Sequence, residues 1–234
     1  MTSKSVQSEL QKLHSELYYE LSTPVYSGEI NKTVYLNPLK YSNMEVNTSA
    51  KKKGLLIVPL LLFNHTSEKF DIILGTRSLI QPYQEFLMDA LLVECNRSAC
   101  FNLEEADINT LPDSTLLLDV EILKNHTTSR INMSRSWIII PLNSATFNFY
   151  FSGYNVKPAD SELEIKVRLL QKDTCLWEKS YFAELELANN NKGIDDLFHA
   201  YHVCLTEMTE CLSLTTKEIV ENISRDLHFL LQNR

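Results

Sequence analysis

Two histidines three apart, His199 and His202, stand near Asp195 in one periodic segment, a spacing that can turn two imidazoles toward one metal ion. Tyr201 and Phe198 mark the apolar face of that segment, so both histidines fall on its flank and outer side, where solvated histidines belong. No metal site is expected. His14, His65, His126 and His228 have no fixed partner in sequence and read as surface residues. Carboxylates paired at Glu104 and Glu105, and at Asp119 and Glu121, could do acid/base work. Asp119 and Glu121 alternate with Leu118 and Val120, which assigns them to the wet face of a strand. With only five glycines, neither a GxGxxG loop nor a P-loop can be written, and the turn Gly75-Thr76-Arg77-Ser78 is no phosphate cradle by itself. GxSxG and HExxH are absent as well. No catalytic residue and no cofactor are expected, and the chain reads as a non-enzyme.

Binding is better served. Phe147, Phe149 and Phe151 alternate along one face of a strand, with Tyr150, Trp137 and Tyr154 near them. Two readings share these residues: a packed core, or a groove for an apolar ligand or a partner strand. Trp137, Phe147, Phe149, Phe151 and Tyr154 are therefore the candidate ligand or partner residues. Of the five cysteines, Cys95 and Cys100 flank a helix exit and can pair in an oxidising compartment, or remain as two buried thiols. Cys204 and Cys211, seven apart on one helix and so about 10 Å apart along its axis, cannot bridge each other. No CxxC pair is present to suggest a zinc knuckle.

The elements that position these residues follow from periodicity. Residues 1–30 form a lead-in, with Leu10, Leu13 and Leu17 at helical spacing over 5–22, either a short helix or a flexible segment. KTVYL (32–36) predicts a strand, and the polar 41–53 a loop. GLLIVPLLLF (54–63) predicts a buried strand with a bulge or edge at Pro59, and FDIILG (70–75) its partner across NHTSEK. Tyr83, Phe86, Leu87, Ala90, Leu91 and Glu94 predict an amphipathic helix packed on a sheet, stopped at Asn96 and Ser98. STLLLDVEIL, RSWIIIPL, ATFNFYFS, ELEIKVRLL and TCLWEKSYFAELELA predict further antiparallel strands, the last two joined by a tight connection at Gln171, Lys172 and Asp173.

From Ile194 to Leu231 one apolar face drifts slowly through Tyr201, Cys204, Met208, Cys211, Leu212, Ile219, Ile223 and Leu227. One helix of nearly forty residues, or two in line, is expected, with Asp195 and Asp196 in its first turn, where the dipole favours them. The fold class is α+β: a mostly antiparallel sheet with one mid-chain helix and a long C-terminal helix packed on one face. Residues 31–234 form a single domain.

The 234 residues are 44% hydrophobic and 22% charged, an ordinary balance for a globular chain. A net charge of −8 disfavours nucleic acid, and Lys51-Lys52-Lys53 reads as a solvated turn. No stretch reaches the roughly 18 apolar residues that span a bilayer, and the polar first 20 residues carry no signal peptide. The chain is then cytoplasmic, or the mature form of an exported protein. Seven Asn-x-Ser/Thr sequons, at Asn31, Asn47, Asn64, Asn96, Asn125, Asn132 and Asn222, would suit a secreted glycoprotein, although a chain this rich in Asn, Ser and Thr generates sequons by chance.

Three stretches resemble the ABC-type transport auxiliary lipoproteins, periplasmic proteins of LptE-like fold. FLMDALLVECNRSACFNL is similar to a helix ending at a small-residue turn before a strand. LEIKVRLLQKDTCLWEKSYFAE is similar to a strand, turn and strand with an aromatic in the return, and DLFHAYHVCLTEMTECLSLTTKEIVENI to a closing helix. The chain departs from the family at the lipid-bearing N-terminal Cys, absent here, and over 41–80. The resemblance implies a periplasmic, outer-membrane-anchored accessory protein of a transport or assembly machine, tethered through an N-terminal lipid absent from this chain. It also implies binding of envelope protein partners or a lipid-like ligand, without enzymatic activity. A secreted or surface glycoprotein and a cytoplasmic binding protein or enzyme remain the alternatives, the first marked by occupied sequons and the second by a deep pocket with shifted titratable groups.

Overall fold

The computed structural model describes residues 12–22, 30–40, 48–53, 62–99, 101–106, 112, 115–142, 145–172, 174–188, 194 and 196–233. Among these residues seven strands and two α-helices follow in order: β1 (Ile30–Leu36), β2 (Thr48–Lys53), β3 (Leu62–Ile73), α1 (Tyr83–Arg97), β4 (Phe101–Glu105), β5 (Leu116–Leu142), β6 (Ala145–Gln171), β7 (Thr174–Glu186) and α2 (Leu197–Gln232). The fold is α+β, as expected.

β5 is the spine of the sheet. Along one edge its first residues pair with β1 and its later ones with β3; along the other, β6 accompanies it from end to end. β7 extends the sheet beside β6, β2 beside β3, and β4 beside β1. The sheet is mixed rather than mostly antiparallel, because β1 runs parallel to both β4 and β5. The chain between β1 and β4 contains α1, and a crossover of that kind returns the strand in the same direction.

The expected separate strands 114–123 and 135–142 are halves of one β5, and 145–152 and 162–170 halves of one β6, each 27 residues long. Two bulges explain why the pattern breaks in sequence. β5 carries an extra residue at Leu123, and β6 carries one between Lys157 and Asp160, where Pro158 sits. Each bulge flips the side-chain phase. Burial in β5 passes from Leu118, Val120 and Ile122 to Thr127, Ser129, Ile131 and Met133, and in β6 from Val156 to Ala159, Ser161 and Leu163. Between the bulges the inward positions are polar: Thr127 Oγ1 lies 2.9 Å from Ser161 Oγ, and Ser129 Oγ donates to the Lys157 carbonyl at 2.8 Å, while the Asn125 side-chain amide is buried with no hydrogen-bond partner among the described residues. That stretch looks like loop in sequence only because its core is polar.

Two other strand expectations change. NHTSEK is not a turn; it lies within β3, paired with β5 throughout. Residues 48–53, expected as loop, form β2 opposite Ser67–Ile72 of β3. Of the apolar run 54–63, residues 54–61, including Pro59, lie outside the described residues, and Leu62 and Phe63 open β3.

α2 is a single helix of 36 residues, about 54 Å long. Asp196 is its N-cap rather than a first-turn residue, accepting from the His199 amide at 2.8 Å; Asp195 lies outside the described residues. The expected apolar face is buried apart from Leu197 and Leu230, which are half-buried, and Phe198, which is exposed. Burial also reaches Thr209, Ser213, Thr216, Ser224 and His228, because α2 is covered from a second side. Tyr83 of α1 places its hydroxyl 3.0 Å from Thr216 Oγ1, and the Tyr18 amide donates to Ser213 Oγ at 3.1 Å. α1 buries Tyr83, Phe86, Leu87, Ala90, Leu91 and Glu94, the six residues its periodicity picks out, between α2 and β4. Leu87 and Leu91, fully buried, contribute about 2 kcal/mol each.

Residues 12–22 form no helix. They run extended over α2, with Leu13 and Leu17 buried and Ser15 bridged to Leu79. Leu10 lies outside the described residues.

Candidate functional site

Among the described residues β3, β5 and β6 outrun the strands that flank them. Among the described residues β2 meets β3 as far as Ser67, and β7 meets β6 from Asp160 onward. Beyond those points residues 62–66 of β3, 135–142 of β5 and 145–153 of β6 continue as a three-stranded arm. On the face that continues the core, burial is complete at Ile131 and Met133 and then ends: Trp137 is 42% and Tyr150 62% exposed. On the other face Phe147, Phe149 and Phe151 are 49%, 45% and 57% exposed. These aromatics are not core.

Unbroken register fixes which residues share a face. Trp137 stands opposite Tyr150, and Met133 opposite Tyr154. Phe147, Phe149 and Phe151 stand opposite Ile140, Ile138 and Ser136. Directly paired residues project to the same side, and alternation puts the two sets on opposite sides. The candidate residues therefore do not line one groove: Trp137 and Tyr154 lie on one face with Tyr150, the three phenylalanines on the other. Tyr154 is half-buried and anchors the approach to α2, exchanging backbone hydrogen bonds of 2.8 and 3.0 Å with Ile194. From β3, His65 Nδ1 meets Ser136 Oγ at 2.8 Å on the phenylalanine face.

The arm carries no Asp, Glu, Lys or Arg from Ser136 to Val156. Its base is basic. Lys69, Arg135 and Lys157 flank it, and Arg130 pairs with Asp71. Arg135 has a buried Nε with no hydrogen-bond partner among the described residues. A cleft of about 410 Å³ opens at the base, lined by Asp71, His126, Arg130, Lys157 and Pro158 among others.

The remaining chemical candidates serve the fold. Asp119 is buried rather than solvated: Arg168 donates to Oδ2 through Nη2 at 2.5 Å and Nε at 3.1 Å, while Lys40 lies 3.2 Å from Oδ1. The bond to Asp119 raises the Arg168 pKa further. Glu121 is half-buried, and Arg168 reaches it at 3.5 Å. Glu104 and Glu105 are exposed. Glu94 is buried and accepts from the Tyr19 hydroxyl at 2.8 Å and the Ser22 amide at 3.3 Å. His228, expected at the surface, is buried with Nδ1 2.6 Å from the Ala99 carbonyl. His199 and His202 are exposed, the latter against the Phe198 ring edge. Among the described residues no group of three His, Cys, Asp or Glu is placed to hold a metal ion.

Cys95 is a free buried thiol, raised well above its ordinary range by burial and then by the neighbouring Glu94. Its candidate partner Cys100 lies outside the described residues. Burial likewise pushes Cys204 and Cys211 up to about 12, and Cys175 is exposed. Two sequon asparagines are tied into the fold: Asn96 donates to and accepts from the Leu103 backbone at 3.0 and 2.9 Å, and Asn222 is half-buried on α2. Among the described residues no helix is long and apolar enough to cross a membrane.

No family model and no curated protein matches the chain. Among solved structures, a Xanthomonas campestris protein of family DUF330 is similar at 8% identity and TM-score 0.48, covering 91% of this chain and 96% of that one. A neuraminyllactose-binding hemagglutinin homolog from Helicobacter pylori is similar at 14% identity and TM-score 0.31, covering 91% of this chain and 100% of that one. Similarity this weak leaves the reading of the chain to its own geometry.

Proposed function

We propose that this chain is a non-enzymatic accessory protein of a cell-envelope transport or assembly machine. It binds a protein partner or a lipid-like ligand through the aromatic arm. The observation that carries the reading is the arm itself, an uncharged stretch from Ser136 to Val156 whose aromatic side chains stand exposed where a core would hide them. Contiguous exposed apolar surface of this kind marks interaction sites. The buried carboxylates support a scaffold rather than an enzyme: Glu94 holds Tyr19 and Ser22, and Asp119 holds Arg168 and Lys40. A periplasmic site on the outer membrane, with a lipid tether preceding this segment, belongs to the same proposal.

Fractionation of source cells, with the intact mass, N-terminus and thiols of the native protein mapped, tests it. Recovery with the envelope and an acylated cysteine upstream of this segment is expected. A cytosolic protein with an unmodified Met1 contradicts it, and hexose on the sequons turns the reading to a secreted glycoprotein.

A further inference from the structure

We infer that the arm docks on an anionic lipid surface, lying in the headgroup region of one leaflet. This rests on the reading of the arm as the binding site and names what it binds.

The first support is two-sidedness. A partner strand adds to one edge of the arm, and a second protein surface covers one face. Here Trp137 and Tyr150 are open on one face and Phe147, Phe149 and Phe151 on the other, so the occupant must reach both sides of a ribbon one sheet thick. A lipid interface does so. The second support is depth. The arm takes residues 62–66 of β3, 135–142 of β5 and 145–153 of β6, five, eight and nine residues, so two of its three strands fall short of the roughly 9–11 residues that span a bilayer and the third only reaches the lower bound. Among the described residues the outer edges of the arm, 62–66 of β3 and 145–153 of β6, meet no neighbouring strand. Such edges are not tolerated in hydrocarbon but are satisfied by water and headgroups, which holds the arm at the interface. Trp and Tyr favour that level.

The third support is charge. The chain as a whole is at −8, yet β2, β3 and residues 128–157 together hold seven basic and two acidic residues. Lys51, Lys52 and Lys53 stand in register with Lys69, Glu68 and Ser67, just below the arm. Lys69 and Lys157 lie on the phenylalanine side, Arg135 on the tryptophan side. Positive charge thus flanks the phenylalanine face at the boundary where the uncharged stretch ends, while Glu68 offsets Arg135 on the tryptophan face. This polarity orients the arm toward anionic headgroups, each basic residue strengthening attachment near the surface.

The test uses the full chain carrying Trp177→Phe, which leaves Trp137 as the one tryptophan. Vesicles of phosphatidylcholine, with and without phosphatidylglycerol, are prepared with and without brominated acyl chains. The protein is expected to co-float with phosphatidylglycerol vesicles at least about tenfold more strongly than with phosphatidylcholine alone, and less so at high salt. Trp137 emission should shift to the blue and be quenched by bromines near the headgroups but not by those at the acyl chain ends. Phe147→Ser/Phe149→Ser/Phe151→Ser should lose the binding while its circular dichroism is unchanged. Absence of flotation overturns the inference, as do flotation without Trp137 quenching and binding that survives the triple substitution. So does an arm covered by a second copy, seen as a dimer that the triple variant dissolves. These outcomes separate from failure of the functional reading: lipid binding by a cytosolic protein would sink that reading alone, and an envelope protein cross-linked to a non-floating arm would sink this inference alone.

Discussion

Trp137 of β5 stands directly opposite Tyr150 of β6, and its neighbour Ile138 stands opposite Phe149 on the other face of the same ribbon. Trp137, Tyr150 and Phe149 are all exposed, so these side chains contribute to surface rather than core. Phe149→Ser with Phe151→Ser is therefore expected to change unfolding free energy by no more than about 0.5 kcal/mol per site, while lowering the fluorescence of a bound apolar dye. Leu163→Ala, at a fully buried position of β6, is expected to cost about 3 kcal/mol. Urea unfolding of the two variants measures the contrast.

Arg168 and Lys40 hold Asp119 in a buried site. Arg168→Met removes two of its hydrogen bonds and leaves a carboxylate with one cation, at an expected cost of about 2 kcal/mol. Adding Asp119→Asn to that variant should recover part of the loss, since no charge is then left buried. A double-mutant cycle by urea denaturation reads the coupling.

The thiols give a pH dependence with a definite sign. Cys204 and Cys211 rise from 9.0 to about 12 through burial, so the folded chain keeps protons that the unfolded chain gives up. Their contribution is complete below the unfolded value and is lost as pH climbs toward about 12. Tyr19 and Tyr181, raised above 10.0 by burial and by their bonds to Glu94 and Asp226, act in the same direction. The urea midpoint should fall steadily from about pH 8 to about pH 11. At neutral pH, alkylation followed by peptide mapping should label Cys175 first and leave Cys95, Cys204 and Cys211 unlabelled until the protein unfolds.

Glu94 receives two hydrogen bonds from the segment 12–22. Glu94→Ala should loosen that segment, at a cost of about 2 kcal/mol, and speed proteolytic cleavage within it well before the rest of the chain is cut. An unchanged N-terminal cleavage rate would show that Leu13 and Leu17 hold the segment without Glu94.

The two helices were legible because each keeps a long uninterrupted period: all six residues picked for α1 are buried, and α2 is one rod. β5 and β6 were not legible as single strands, because bulges at Leu123 and near Pro158 reverse the alternation and the inward Thr127, Ser129 and Ser161 resemble loop. β2 was hidden for a related reason, its TSAKKK having neither alternation nor apolar residues. The aromatic residues of the arm were found, but not their division between two faces, which only the pairing of Trp137 with Tyr150 reveals. Burial of Asp119 and His228 depends on partners 49 and 129 residues away, Arg168 and Ala99, and no local pattern encodes that.

The most direct test of the account is a photo-cross-linking residue placed at Phe149 in the native protein of its source cells. Cross-links to envelope lipid or to an envelope protein, recovered with the membrane fraction, are expected, and none from a control position at Glu218 on the exposed side of α2. A soluble cytosolic protein whose Phe149 position cross-links no more than Glu218 would contradict it.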